Sequence, residues 1–202
     1  MKVATCSIVK LENNYLVEFV EHYKGIGFDH MFIYDNNRPE DEHPEDVLQK
    51  YIDEDFVTII DFRDQELHPM VKSIKQAFNS CWKNNKEEYD WILFCDNDEF
   101  LNFAEDSNVK EYLSRHEINN CDIIKINWKC YDDNNLIYYE DKPMKERFTH
   151  CCNDDPLTFE ENEHSKSFVH NTAKNKKLVL TNFLNYSIMY IPSEKTLGKP
   201  KK

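Results

Sequence analysis

Short apolar clusters alternate along the chain with stretches in which apolar residues return every third or fourth position, the signature of strands alternating with helices. Val3, Ala4, Cys6, Ile8 and Val9 predict a first strand. Tyr15, Leu16, Phe19, Val20 and Tyr23 then recur at helical spacing, with Asn13 or Asn14 able to cap the helix and Gly25 or Gly27 to stop it. His30 to Tyr34 reads as a second strand, Pro44 to Tyr51 as a short helix, and Phe56 to Ile60 as a third strand. Pro69 opens a longer helix whose Val71, Ile74, Phe78 and Cys81 or Trp82 share a face, and a fourth strand follows from Trp91. Asp122 to Trp128 alternates as a later strand. Strand, helix and strand within a few tens of residues form a βαβ unit, so the fold class expected is α/β with a mostly parallel, Rossmann-like central sheet flanked by helices.

Open parallel sheets bind ligands beyond the carboxyl ends of their strands. Lys10, Glu12, Asp35, Asn36, Asp64, Asp96 and Asp98 all fall there. The sharpest of these tips is Trp91-Ile92-Leu93-Phe94-Cys95-Asp96-Asn97-Asp98-Glu99-Phe100-Leu101, an apolar run that ends in acids. Like charges at the end of a buried strand are costly unless something neutralises them, and a divalent cation shared with a phosphate does so. Strand alternation places Asp96 and Asp98 on one side and Asn97 and Glu99 on the other. Two carboxylates on one side could grip Mg²⁺ or Mn²⁺ and leave positions open for a diphosphate.

Composition narrows the field further. A chain of 202 residues can bury a sizeable core as one domain. Its net charge of -13 argues against a nucleic-acid or anionic-membrane surface. Seven cysteines, without framework spacing, fit a reducing compartment better than a disulfide scaffold. No apolar run approaches the roughly 18 residues needed to span a bilayer, and no signal peptide is visible, so a cytoplasmic protein is expected, with peripheral association at the inner face of a membrane left open. Phe100 and Leu101 stand where an EF-hand needs an oxygen ligand and a glycine, so the acids are not a calcium loop. There is no Walker loop, no G-x-G-x-x-G and no nucleophile elbow.

Several short motifs occur in order: Lys10-x-Glu12, Leu16-Val17-Glu18-Phe19 with His22-Tyr23, Gly27-Phe28-Asp29-His30, Ile33-Tyr34-Asp35-Asn36, Gln76-Ala77-Phe78-Asn79-x-Cys81, and Asp96-x-Asp98-Glu99-Phe100-Leu101. Asn127-Trp128, Glu146-Arg147-Phe148-Thr149 and Lys166-Ser167-Phe168-Val169 continue the series. Together they resemble family 2-like glycosyltransferases with the GT-A fold, nearest to the DUF23 (family 92) enzymes. The resemblance covers residues 1–170: a nucleotide-binding half of about 1–101 and an acceptor half of about 102–170. Residues 171–202 read as a divergent or truncated C-terminal segment.

The resemblance implies hexosyl transfer from a nucleotide-diphosphate sugar, a UDP-sugar being favoured, to a glycan or lipid-linked acceptor in surface polysaccharide or lipooligosaccharide synthesis. It implies that Thr5, Ser7, Lys10, Glu12, Asp35 and Asn36 face the base and ribose, that Gln76 and Asn79 lie near the donor, and that Asp96 and Asp98 hold Mn²⁺ or Mg²⁺ against the diphosphate. Lys166 is expected beside the phosphates. Members of this fold tend to complete the metal site with a late histidine, which here means His170, with water as the alternative. For an inverting displacement the candidate bases are Asp132, Asp133, Asp154 and Asp155. A nucleotide-sugar-binding domain without turnover, or a nucleotidyl- or phosphotransferase, would use the same acidic tip.

Overall fold

The computed structural model describes residues 1–63, 73–103, 105–115, 121–132, 136, 140–150 and 164–173, and the backbone of strands 178–180 and 186–190. The order is β1 (Val3–Val9), α1 (Asn13–Gly25), β2 (His30–Asp35), α2 (Glu45–Asp53), β3 (Val57–Asp61), α3 (Ser73–Asn85), β4 (Trp91–Phe94), β5 (Glu99–Phe103), α4 (Val109–Leu113), β6 (Ile123–Cys130), α5 (Met144–Arg147), β7 (Ser165–His170), β8 (Leu178–Leu180) and β9 (Tyr186–Tyr190). The sheet runs β3-β2-β1-β4-β7-β6-β9-β5, with β8 also paired to β6. Strands β1 to β4 are parallel, as the βαβ reading expects. Strand β7 runs antiparallel between β4 and β6.

Strands β1, β2 and β4 are buried on both faces, which is why they read as unbroken apolar runs. On one face α1 and α2 bury Leu16, Phe19, Tyr23 and Leu48 against Val3, Met31, Ile33 and Leu93. On the other, α3 packs Ala77 and Cys81, with Phe78 and Trp82 partly buried, over Ala4, Cys6, Ile92 and Phe94. Pro69 and Val71, expected at the start of that helix, lie outside the described residues. The chain leaves α1 through Gly27 at φ +91, where a side chain would also meet Asn108 at 3.3 Å. Glycine is the residue that meets both demands.

The acidic stretch is not one strand. Strand β4 stops at Phe94, the backbone turns at Asn97 and Asp98, and β5 begins at Glu99. Asp and Asn favour such turns because their side chains satisfy nearby backbone groups. The C-terminal segment, set apart by its composition, contributes β8 and β9 to the sheet, and β9 bridges β5 and β6. Among the described residues no helix is long and apolar enough to cross a membrane.

Candidate active site

The turn after β4 gathers three carboxylates. One oxygen each from Asp96, Asp98 and Glu99 lies within 4.8 Å of the others. Glu99, which strict alternation puts on the opposite side, therefore joins the pair. Its carboxylate accepts a hydrogen bond from the Asp96 N–H at 2.9 Å, which ties the turn together. Lys166 on β7 completes the group, with Nζ 2.5 Å from Asp96 Oδ2 and 3.2 Å from Glu99 Oε1. It also stands 5.6 Å from the centre of the Trp128 ring.

Burial, then the charges of Asp96 and Glu12, push the Asp98 carboxyl up to about 7. Burial pushes Glu99 up to about 8, with Lys166 pulling against it and Asp96 adding to it. Burial also works against the Lys166 ammonium, but Glu99 and Asp96 outweigh it and hold its pKa above the ordinary lysine value. Lys166 stays charged, and once Asp98 and Glu99 ionise beside Asp96 the group carries an excess of negative charge over that one ammonium. An all-oxygen set with such an excess suits a hard divalent cation such as Mg²⁺ or Mn²⁺. Glu99 Oε1, fully buried and making no hydrogen bond, has the Lys166 ammonium as its ion-pair partner, and so backs the two aspartates from behind.

The neighbouring tips sit at the same edge. Cys6 pairs with Phe94 in the parallel register, so Ser7 lies level with the start of the acid turn, its buried hydroxyl making no hydrogen bond. Thr5 is deeper: its hydroxyl is fully buried against Cys95 Sγ at 3.4 Å, so the placement of Thr5 at a donor surface is corrected to a core position. Lys10 is exposed just past β1, and its N–H donates to Glu12 at 3.1 Å. At the end of β2, Asp35 is fully buried. Its Oδ1 accepts from the backbone and side-chain amides of Asn37, and its Oδ2 makes no hydrogen bond but lies 3.6 Å from Arg63 Nε. Asn37 in turn accepts from the Leu11 N–H, while the Asn36 N–H donates to Val9, so the loops after β1 and β2 are locked together.

Arg63 also bonds Asp61 and His43, and is a neighbour of this edge that sequence reasoning passed over. Its place just past β3 was the available signal. On α3, Asn79 is exposed and lines a cavity of about 690 Å³ with Phe78, Trp82, Phe94 and Ser167. Gln76 lies one turn earlier, half-buried.

In the second half, Asp132 Oδ2 lies 2.6 Å from His150 Nδ1. Asp133, Asp154 and Asp155 lie outside the described residues. His170 does not reach the acids. The antiparallel register sets Ser167 opposite Phe94 and His170 opposite Trp91, at the amino end of β4. It stands four residues along β7 from Lys166, roughly 13 Å at a strand's rise, and packs edge-on against Trp91 at 4.6 Å. The expectation of His170 as a third ligand is therefore corrected, and Glu99 is the third carboxylate present.

Open α/β sheets bind their ligands in the crevice beyond the carboxyl ends of the strands, which is where these acids cluster. Residues 3–187 match the sequence profile of glycosyltransferase family 92, and the chain belongs to that family. A family 92 protein of Oryza sativa subsp. japonica is 28% identical over 116 residues, covering 57% of this chain and 19% of its own length. One from Ricinus communis is 23% identical over 130 residues, covering 64% and 22%. The chain thus spans about a fifth of the length of these relatives. Among solved structures, S. aureus TarS 1-349 in complex with UDP aligns at TM-score 0.49 and 12% identity, covering 94% of this chain and 60% of that one. The mannosyltransferase PcManGT of Pyrobaculum calidifontis, in complex with GDP-Man and Mn²⁺, aligns at 0.44 and 10%, covering 63% and 36%.

Proposed function

We propose that the chain is a metal-dependent glycosyltransferase that moves a hexose from a nucleotide-diphosphate sugar, a UDP-sugar being favoured, to a glycan or lipid-linked acceptor. Family membership supports the reaction class. The observation that carries the site is the convergence of Asp96, Asp98 and Glu99 with Lys166 at the carboxyl edge of the parallel strands. Asp96 and Asp98, backed by Glu99, would hold Mn²⁺ or Mg²⁺. Bound there, the cation supplies charge stabilisation to the departing nucleotide diphosphate.

The protein's own groups do the remainder. Lys166 presents a positive charge held close to where the phosphates would lie. Asp35 Oδ2 offers a buried acceptor to an N–H of the base, with Arg63 beside it. Ser7, Lys10, Glu12 and Asn36 border the base and ribose, and Gln76 and Asn79 the donor sugar. Asp132 orients His150 at 2.6 Å, a pair able to take the proton of an acceptor hydroxyl in an inverting displacement.

The test is incubation with UDP-, GDP- and CMP-sugars plus Mn²⁺, following release of nucleotide. Slow hydrolysis of one donor class by the wild type, lost in Asp98→Ala, is the expected result. Uniform inertness toward every donor, with or without added glycan acceptors, would overturn the assignment.

A further inference from the structure

Lys166 is bound to the acids more tightly than a surface lysine would be. Its side chain is 14% exposed, and among the described residues it is the ion-pair partner of both Asp96 and Glu99. Its backbone is pinned on both sides, since Ser167 pairs with Phe94 and Lys166 itself with Ile126. Only the side chain can move. Of its two partners, Glu99 has no exposure at all, whereas the Asp96 side chain is 35% exposed. Glu99, sealed from solvent, has no water to take the ammonium's place, whereas the partly exposed Asp96 has, so Lys166 leaves Asp96 at the lower cost.

We propose that Lys166 couples cation binding to diphosphate binding. In the free protein its ammonium takes the place of a divalent cation on Asp96. An arriving diphosphate draws it off Asp96 while it stays on Glu99, and the vacated oxygen passes to the cation. This rests on the reading of Asp96 and Asp98 as the cation site. A cation approaching Asp96 alone must compete with an ammonium 2.5 Å from the same oxygen and is repelled by it. With a diphosphate present, the ammonium gains phosphate oxygens as partners and the competition is relieved. The coupling is reciprocal: the factor by which UDP tightens the cation is the factor by which the cation tightens UDP.

The experiment is a titration of Mn²⁺ followed by electron paramagnetic resonance of the free ion, with and without UDP, on the full chain. Wild type should bind Mn²⁺ weakly alone and about tenfold or more tightly with UDP. Lys166→Met should bind Mn²⁺ alone more tightly than wild type, with the UDP effect reduced to within about threefold of none. Should Lys166→Met fail to fold around an unpaired Glu99, the double variant Lys166→Gln/Glu99→Gln removes both charges. It should lose the coupling, whereas Glu99→Gln alone should keep it. Coupling in the lysine variants as large as in wild type would overturn the role of Lys166 while leaving the site intact. A wild type that takes up neither Mn²⁺ nor UDP would overturn the site itself, and the inference with it.

Discussion

The Glu99 carboxylate accepts the backbone N–H of Asp96 at 2.9 Å, closing the turn that brings three acids together. Glu99 is thus both the floor of the site and a structural pin. Glu99→Ala removes the acceptor and leaves Lys166 facing Asp96 alone, and should cost about 2–4 kcal/mol in urea unfolding. Glu99→Gln keeps an acceptor for the N–H and should cost less than half as much.

Asp98 lies in a cluster that resists ionisation, so its charge opposes folding when no cation is bound. Asp98→Asn should therefore stabilise the metal-free protein by about 1 kcal/mol, or roughly 2–4 °C in Tm for a chain of this size. The same variant should lose any stabilisation by UDP with Mn²⁺. Differential scanning calorimetry with and without the ligands reads both effects.

Asp35→Asn preserves the oxygen that orders Asn37 and replaces the unbonded Oδ2 with an amide aimed toward Arg63. UDP affinity, measured by calorimetry, should fall about tenfold to a hundredfold, on the scale of a lost buried acceptor. Mn²⁺ binding without nucleotide should not change.

Much of the fold was legible because β1, β2 and β4 are buried on both faces and α1 on one, so each leaves a periodic apolar trace. That Asp96 and Asp98 come together followed from acids at the end of such a strand. The direction of Glu99 was not legible, because alternation holds only while the strand continues and the backbone turns at Asn97 and Asp98. Nor was the position of His170. That depends on the register of β7 against β4, a pairing across nearly eighty residues that no local pattern encodes. Thr5 was misplaced for a simpler reason: a hydroxyl in a strand looks alike whether it meets a ligand or, as here, a buried thiol.

Glu18 on α1 accepts the N–H groups of Met144 and Lys145, at 2.6 and 3.2 Å, and so anchors the start of α5 from far away in the chain. Glu18→Ala should destabilise the protein by about 1–2 kcal/mol. Amide exchange of residues 144–148 should rise more than that of β1 or β2.

His22 is held between the Leu101 carbonyl, 2.8 Å from Nε2, and the Lys145 ammonium, 3.1 Å from Nδ1. Burial, then Lys145, lower its pKa from 6.5 to about 4. The folded state therefore binds this proton more weakly than the unfolded chain. The contribution of neutral His22 is complete above about pH 6.5 and is lost as the pH falls toward 4. At about 1.4 kcal/mol per unit, the loss amounts to roughly 3 kcal/mol. In urea titrations at a series of pH values, His22→Gln should flatten the stability profile across that window.

The central claim is that the acids after β4 hold a divalent cation against a nucleotide diphosphate. Crystals soaked with UDP and Mn²⁺, and measured at the manganese absorption edge, test it most directly. The account predicts one anomalous peak within about 2.5 Å of oxygens from both Asp96 and Asp98, touching the diphosphate, with the uracil beside Asp35. Manganese bound away from these two carboxylates, or UDP seated elsewhere on the domain, would contradict it.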